Sequence, residues 1–328
     1  MFGQLAGIYY EKYEDDMKNL IGASLLFALL WAVSPHAYAA SNVPTVTVSP
    51  FLQNVQVQEN DQTKPLDLTL LNTSNQTQTF HLSVLDFGAL NETGGVAFAS
   101  SDSSTLIKKY GLSTWLKLDN DSITLAPGQK TKVGAVINND STMSPGGHYA
   151  AVIASLDSEN GSKGNTVDIK QQLSALIMVT KTGGEKYDLS LNNTKFKTSW
   201  WHLPTSLVLR FKNPGNVQVV PRGMVKIVAP GGAVVSQAAI NEGSGFILPE
   251  TFRQFPVELQ NVGRPKLWPT TYQLQVIYRY DGLEQFAIKT YKVRFINLPV
   301  LLVAGLLVLA MAAATMTIIK KLRKRKRR

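Results

Sequence analysis

The side chains best suited to chemistry are few and scattered. The chain has four histidines, His36, His81, His148 and His202, and no cysteine. A zinc site needs several His, Cys or carboxylate ligands brought together, and closely spaced pairs usually begin one. None of these histidines flanks a carboxylate at such spacing. His148, just after Pro145-Gly146-Gly147, reads as a hairpin residue. Asp119-Asn120-Asp121-Ser122 offers oxygens to a calcium ion but lacks the later glutamate of a calcium loop. The same residue types make ordinary β-turns. No nucleophile elbow, phosphate-cradling glycine loop or acid–base constellation emerges. The sequence therefore predicts no enzyme, no metal and no cofactor.

Aromatic residues are the better candidates for contact with a ligand. Trp200 and Trp201 are adjacent, so in a strand they would face opposite sides. One exposed there could stack on a glycan or anchor a protein partner. Alternatively, one fills the core and the other packs at a joint between domains. Trp115 and Trp268 read as core or edge packing. Seven Asn-x-Ser/Thr sequons, at Asn72, Asn75, Asn91, Asn120, Asn139, Asn160 and Asn192, mark loops expected to be solvated.

These residues must be carried by strands, because from Val46 onward the dominant period is two. Phe80, Leu82 and Val84 alternate with polar residues, as do Val133, Ala135 and Ile137. Clusters of Gly, Pro, Asn and Asp divide the runs, a pattern of β-sandwiches. One short helix is expected over Ser104 to Tyr110. The second half repeats the first. Leu207, Leu209 and Phe211 lead into Asn213-Pro214-Gly215-Asn216 as an earlier strand leads into Asn72. Phe246 to Glu250 matches Ile123 to Gly128, and Pro269 to Tyr272 matches Pro145 to Tyr149. The two tyrosines are expected to act as tyrosine corners, each hydroxyl tying a crossover to the backbone. The joint falls at Thr182-Gly183-Gly184-Glu185.

Both ends of the chain address a membrane. Leu20 to Val33 followed by Ala37-Tyr38-Ala39 has the layout of a signal peptide cut after Ala39. Glu14, Asp15 and Asp16 sit where such a peptide carries positive charge, so translation is expected to start at Met17. Leu298 to Ile319 is apolar without a charge, and about 22 residues of helix at ~1.5 Å each span one hydrocarbon core. Asn297 suits the cap, and Pro299 suits the first turn. Lys320, Lys321, Arg323, Lys324, Arg325, Lys326, Arg327 and Arg328 follow, and by the positive-inside rule they stay cytoplasmic. Leu298-Pro299 begins a sortase-like string, but Leu301 and Leu302 replace the Thr and Gly that sorting requires. The eight tail cations supply most of the net charge of +10. The basicity thus reports topology, and no nucleic-acid partner is expected.

With Trp115-Leu116-Lys117-Leu118, then Ile123 to Gln129, then Pro145-Gly146-Gly147 before an apolar strand, residues 45–180 resemble the DUF916-type domain of WxL-interacting cell-surface proteins of Gram-positive bacteria. The order of parts is similar too. The resemblance implies a non-catalytic, wall-proximal module that holds glycan or another surface protein.

The expected architecture is all-β: two tandem immunoglobulin-like β-sandwiches followed by one transmembrane α-helix. The divisions are a signal peptide at 1–39, sandwiches at 40–184 and 185–296, the helix at 297–319 and a basic tail at 320–328. The expected role is a single-pass plasma-membrane protein, N-terminus outside, presenting both sandwiches to another envelope protein. The alternative is a module that binds wall polymer.

Overall fold

The structure, a computed structural model, describes residues 46–99, 104–156, 172–197 and 199–325. The signal peptide, the Met17 start and the last three tail residues, Lys326, Arg327 and Arg328, lie outside the described residues.

In the first half, β1 (Val46–Ser49), β3 (Thr63–Asn72), β8 (Lys130–Asn138) and β6 (Leu116–Leu118) form a sheet in the order β1-β3-β8-β6. A second sheet has the order β2-β10-β9-β4-β5, from β2 (Leu52–Val57), β10 (Gln172–Lys181), β9 (Gly146–Leu156), β4 (Gln78–Ala89) and β5 (Val96–Phe98). β7 (Ser122–Leu125) also pairs with β4. The chain changes sheets at Ser49–Pro50, so β1 pairs with β3 while β2 runs parallel to β10. Alternation puts Leu66, Leu68 and Leu70 of β3 against Ala150, Val152 and Ala154 of β9 in one core.

β9 is buried on both faces, which explains its unbroken Tyr149 to Ala154 run. Its other face, Tyr149, Ala151 and Ile153, joins Phe87, Tyr110 and Met178 in a second cluster. That cluster is covered by α1 (Thr105–Lys109) and by Leu248 from the second half. α1 forms where expected. The Ser104 side chain accepts from the Ile107 amide, and Lys108 and Lys109 sit in the last turn, where cations suit the helix dipole.

The second half has a three-stranded sheet, β11-β12-β15, from β11 (Ser190–Phe196), β12 (Ser206–Lys212) and β15 (Phe252–Glu258). Its five-stranded sheet has the order β16-β14-β13-β17-β18. These are β13 (Arg222–Val228), β14 (Val234–Ile240), β16 (Gln260–Asn261), β17 (Thr270–Arg279) and β18 (Ala287–Phe295). A separate core between these sheets runs from Leu189 to Phe295.

The internal repeat is visible atom by atom. Asn72 and Asn213 are both fully buried at the ends of β3 and β12. Asn72 Nδ2 donates to the carbonyls of Gln76 and Leu125, and its Oδ1 accepts the Ser74 amide. Asn213 Nδ2 donates to the carbonyls of Val217 and Ile247, and its Oδ1 accepts the Gly215 amide. Gly128 N–H bonds to Asn72 C=O as Glu250 N–H bonds to Asn213 C=O. A glycan on Asn72 is therefore incompatible with this fold, which corrects the reading of that sequon as a solvated loop.

The tyrosine expectation holds at one of its two positions. Tyr272 Oη accepts the Lys266 amide at 2.7 Å and ties the approach to β17. Tyr149 instead donates to the Gln218 side chain, across the line between the halves. His148 lies within β9 rather than at a hairpin, buried and bonded to the carbonyls of Gly111 and Ser144.

α2 (Leu298–Arg325) starts two residues after β18, with Leu301 N–H bonding to Asn297 C=O. Leu298–Lys320 is long and apolar enough to cross a membrane, and none of its most apolar window is buried against the protein. The Thr315 and Thr317 hydroxyls bond to carbonyls of their own helix, so neither needs water. The helix continues past the expected end at Ile319 to Arg325, taking Lys320, Lys321, Arg323, Lys324 and Arg325 with it.

Candidate functional site

Two ion pairs close the seam between the halves. Arg210 Nε donates to Glu92 Oε2 at 2.7 Å while Nη2 reaches Oε1, a two-pronged bond across 118 residues of sequence. Gln254 adds a side-chain bond to the same carboxylate and an amide bond to the Glu92 carbonyl, and the guanidinium lies 3.7 Å from the Phe252 ring centre. The second pair joins Lys109 to Glu250, whose Oε1 also accepts from Tyr110. Glu250 has φ +60°, and its counterpart in the repeat, Gly128, has φ +70°. A glutamate in left-handed backbone is disfavoured by roughly 1 kcal/mol. The bonds to Lys109 and Tyr110 are what the glutamate adds at that position. Pro145-Gly146-Gly147 serves the same seam: a Cβ on Gly147 would lie 2.0 Å from Tyr149 Oη, and the Gly147 amide bonds to Asn216 C=O.

Both acids are poised by these bonds. The Arg210 hydrogen bonds, then that from Gln254, hold Glu92 down to about 2 from an ordinary 4.5. The Lys109 bond lowers Glu250 as well. A depressed carboxylate contributes stability above its unfolded-state value and loses it as pH falls toward the folded one. The seam should therefore weaken progressively as pH drops from about 4.5 to about 2. A thermal midpoint that falls over that window, and falls less in Glu92→Gln, is the expected result.

Sheet edges are where a second chain can add a strand. Among the described residues, four edge strands have six residues or more, namely β2, β11, β15 and β18. β11 carries Lys195 and a register shift between Leu191 and Asn193. β15 carries Pro256, and its Gln254 amide is already taken by Glu92. β18 carries Lys289, Lys292 and Arg294. Charge, proline and irregularity each discourage pairing. β2, Leu-Gln-Asn-Val-Gln-Val, has none of them. Leu176 N–H bonds to Phe51 C=O and Thr182 N–H to Val57 C=O, so the odd-numbered residues face β10. Leu52, Asn54 and Gln56 therefore turn their backbone groups outward. Phe51, 73% exposed, stands at the head of this edge.

Trp200 and Trp201 lie in the connection between β11 and β12, not in a strand, and both are exposed. Trp268 is exposed too, against the expectation that it packs in a core or at an edge. Trp115 does pack against the first core, its Nε1 bonded to Thr142. Asp119 to Asp121 joins β6 to β7, which Ser122 opens, and among the described residues no group of three His, Asp or Glu is placed to hold a metal. An open groove of about 640 Å³ lies between β14 and β15, lined by Gln237, Asn241, Glu242, Glu258 and Gln260 beside Phe255.

No protein-family model matches the sequence, and no curated protein does. Among solved structures, a chain of the chaperone–tip adhesin complex of CFA/I fimbriae biogenesis is 10% identical with a TM-score of 0.41, over 75% of this chain and 97% of that one. The class 5 fimbriae chaperone CfaA is 11% identical with a TM-score of 0.39, over 75% and 98%. A chain of the CsuC–CsuE chaperone–tip adhesion subunit pre-assembly complex of Acinetobacter baumannii Csu pili is 10% identical with a TM-score of 0.36, over 77% and 98%. At these values the likenesses carry no inference about what this chain binds.

Proposed function

We propose that this is a single-pass, non-enzymatic cell-surface scaffold that holds another envelope protein by strand addition on β2. The two halves are read as immunoglobulin-like sandwiches, residues 40–184 and 185–296, outside the plasma membrane, with the cationic end of α2 in the cytoplasm. The resemblance of residues 45–180 to DUF916-type modules is in keeping with this role. The observation that carries the reading is the unguarded edge: Leu52, Asn54 and Gln56 offer backbone groups beside the exposed Phe51. An added strand would gain main-chain hydrogen bonds for affinity and a pocket for Phe51 as an anchor.

Asn54→Pro tests it. Asn54 N–H faces away from β10, so proline there removes an outward donor and leaves the native ladder intact. Capture of detergent-released surface proteins by the full chain should fall roughly tenfold, about 1.4 kcal/mol, with little change in thermal midpoint. Undiminished capture by a folded Asn54→Pro chain would exclude the edge.

The groove between β14 and β15 favours a second reading, a wall-polymer module. Its amides and carboxylates suit sugar hydroxyls, and the exposed Met224 offers an apolar contact. Enrichment of polymer alone, lost on Glu242→Ala, would select that reading.

A further inference from the structure

The exposed tryptophans gather where the chain enters α2. Trp200 C=O accepts the Ile296 amide at 2.6 Å, two residues before the helix begins. Thr270 lies opposite Phe295, so the segment carrying Leu267 and Trp268 meets β17 beside the same point. Val228 lies opposite Gln273, which brings the tip Ala229-Pro230-Gly231-Gly232-Ala233 to this end too. The seam with the first half, at Asn213 to Asn216, is at the other end of β12.

Trp200, Trp201, Val262, Leu267 and Trp268 are 45–66% exposed. Residues 197–205, 229–233 and 262–269 hold Lys197, Arg264 and Lys266 and no carboxylate. Ile296 stands about 3–7 Å from Leu298 along the chain, counting ~1.5 Å per helical or ~3.3 Å per extended residue. The headgroup zone on each side of a bilayer is about 5–7 Å deep. Tryptophan favours that zone because its ring is apolar and its N–H polar, and cations favour anionic headgroups.

We propose that these three loops seat in the headgroup–acyl boundary of the bilayer, against anionic phospholipid. The proposal rests on the reading of α2 as a membrane span. The Trp200–Ile296 bond makes the contact continuous with the helix entry. An exposed, carboxylate-free aromatic cluster at that place is matched to lipid.

The chain has no cysteine, so one nitroxide can be placed without background labelling. The full chain is reconstituted in vesicles of phosphatidylcholine with a minority of phosphatidylglycerol, labelled at Leu267→Cys, Leu306→Cys or Phe51→Cys. The ratio of oxygen to nickel-chelate collision is then read at each site. The expected order is Phe51 lowest, Leu267 intermediate and Leu306 highest. A Leu306 value equal to that of Phe51 would overturn the membrane reading and this inference together. A high Leu306 value with Leu267 equal to Phe51 would overturn this inference alone. Shielding of Leu267 from both reagents would also overturn it, in favour of a protein contact. Val262→Cys repeats the measurement should Leu267→Cys fail to fold.

Discussion

Asn213→Ala should destabilise the second half far more than the first. The side chain is fully buried and its amide makes three hydrogen bonds, to the carbonyls of Val217 and Ile247 and from the Gly215 amide. Alanine strands the Val217 carbonyl and the Gly215 amide in the interior, while the Ile247 carbonyl keeps its bond from the Val219 amide, and each orphaned group costs about 1–3 kcal/mol. Some water will enter the vacated space, so a net loss of about 3–5 kcal/mol is expected. Domains are stable by only about 5–15 kcal/mol, so the effect is large. Asn72→Ala is its mirror image in the first half. Because the two cores share no residue, each variant should make its own half melt below the other, so that a separate lower step splits from the joined native transition. A native-like single transition that merely moves to lower temperature would show that the turns do not act on separate cores.

Leu248→Ala should separate two transitions that the native protein joins. Leu248 comes from the second half but packs with Phe87, Tyr110, Tyr149 and Met178 of the first. Truncating a buried leucine costs about 2–5 kcal/mol through lost burial and the cavity left behind. Here the cavity opens in the seam, so the loss falls on the coupling between the halves more than on either core. Calorimetry should show one broad native transition dividing into two, with the lower midpoint several degrees below the native one. Arg210→Ala, which frees Glu92 from its two-pronged partner, should act in the same direction, and the two variants together should exceed either alone. A single unbroken transition in Leu248→Ala would mean that the halves are coupled elsewhere.

The repeat was readable in the sequence because it is local. A strand, an asparagine turn and a later strand with a proline recur at Asn72 and Asn213, and the same hydrogen bonds recur with them. The short helix expected over Ser104 to Tyr110 was readable for the same reason. The seam was not, since Glu92 and Arg210 have no local pattern to connect them. One signal was present: Glu250 stands where the first copy has Gly128, in a conformation that glutamate does not favour. The edge status of β2 was also hidden. A period of two tells which face is buried but not whether a neighbour lies alongside. The tryptophans at 200 and 201 misled for a related reason. Adjacent aromatics suit a strand by propensity, yet here they belong to a connection whose place is set by the Ile296 bond.

Only Ile296 and Asn297 separate β18 from α2. A tether of that length is no hinge, so on the proposed reading a pull on a captured partner would pass straight into β18. Were α2 held in a bilayer as proposed, that pull would run along the strand. β18 is paired with β17 from Thr270–Phe295 to Tyr278–Ala287, nine facing residues aligned with the force. Traction loads these bonds side by side, in shear, instead of peeling them one at a time. The proposed surface scaffold would thereby be suited to bear tension between its partner and the membrane.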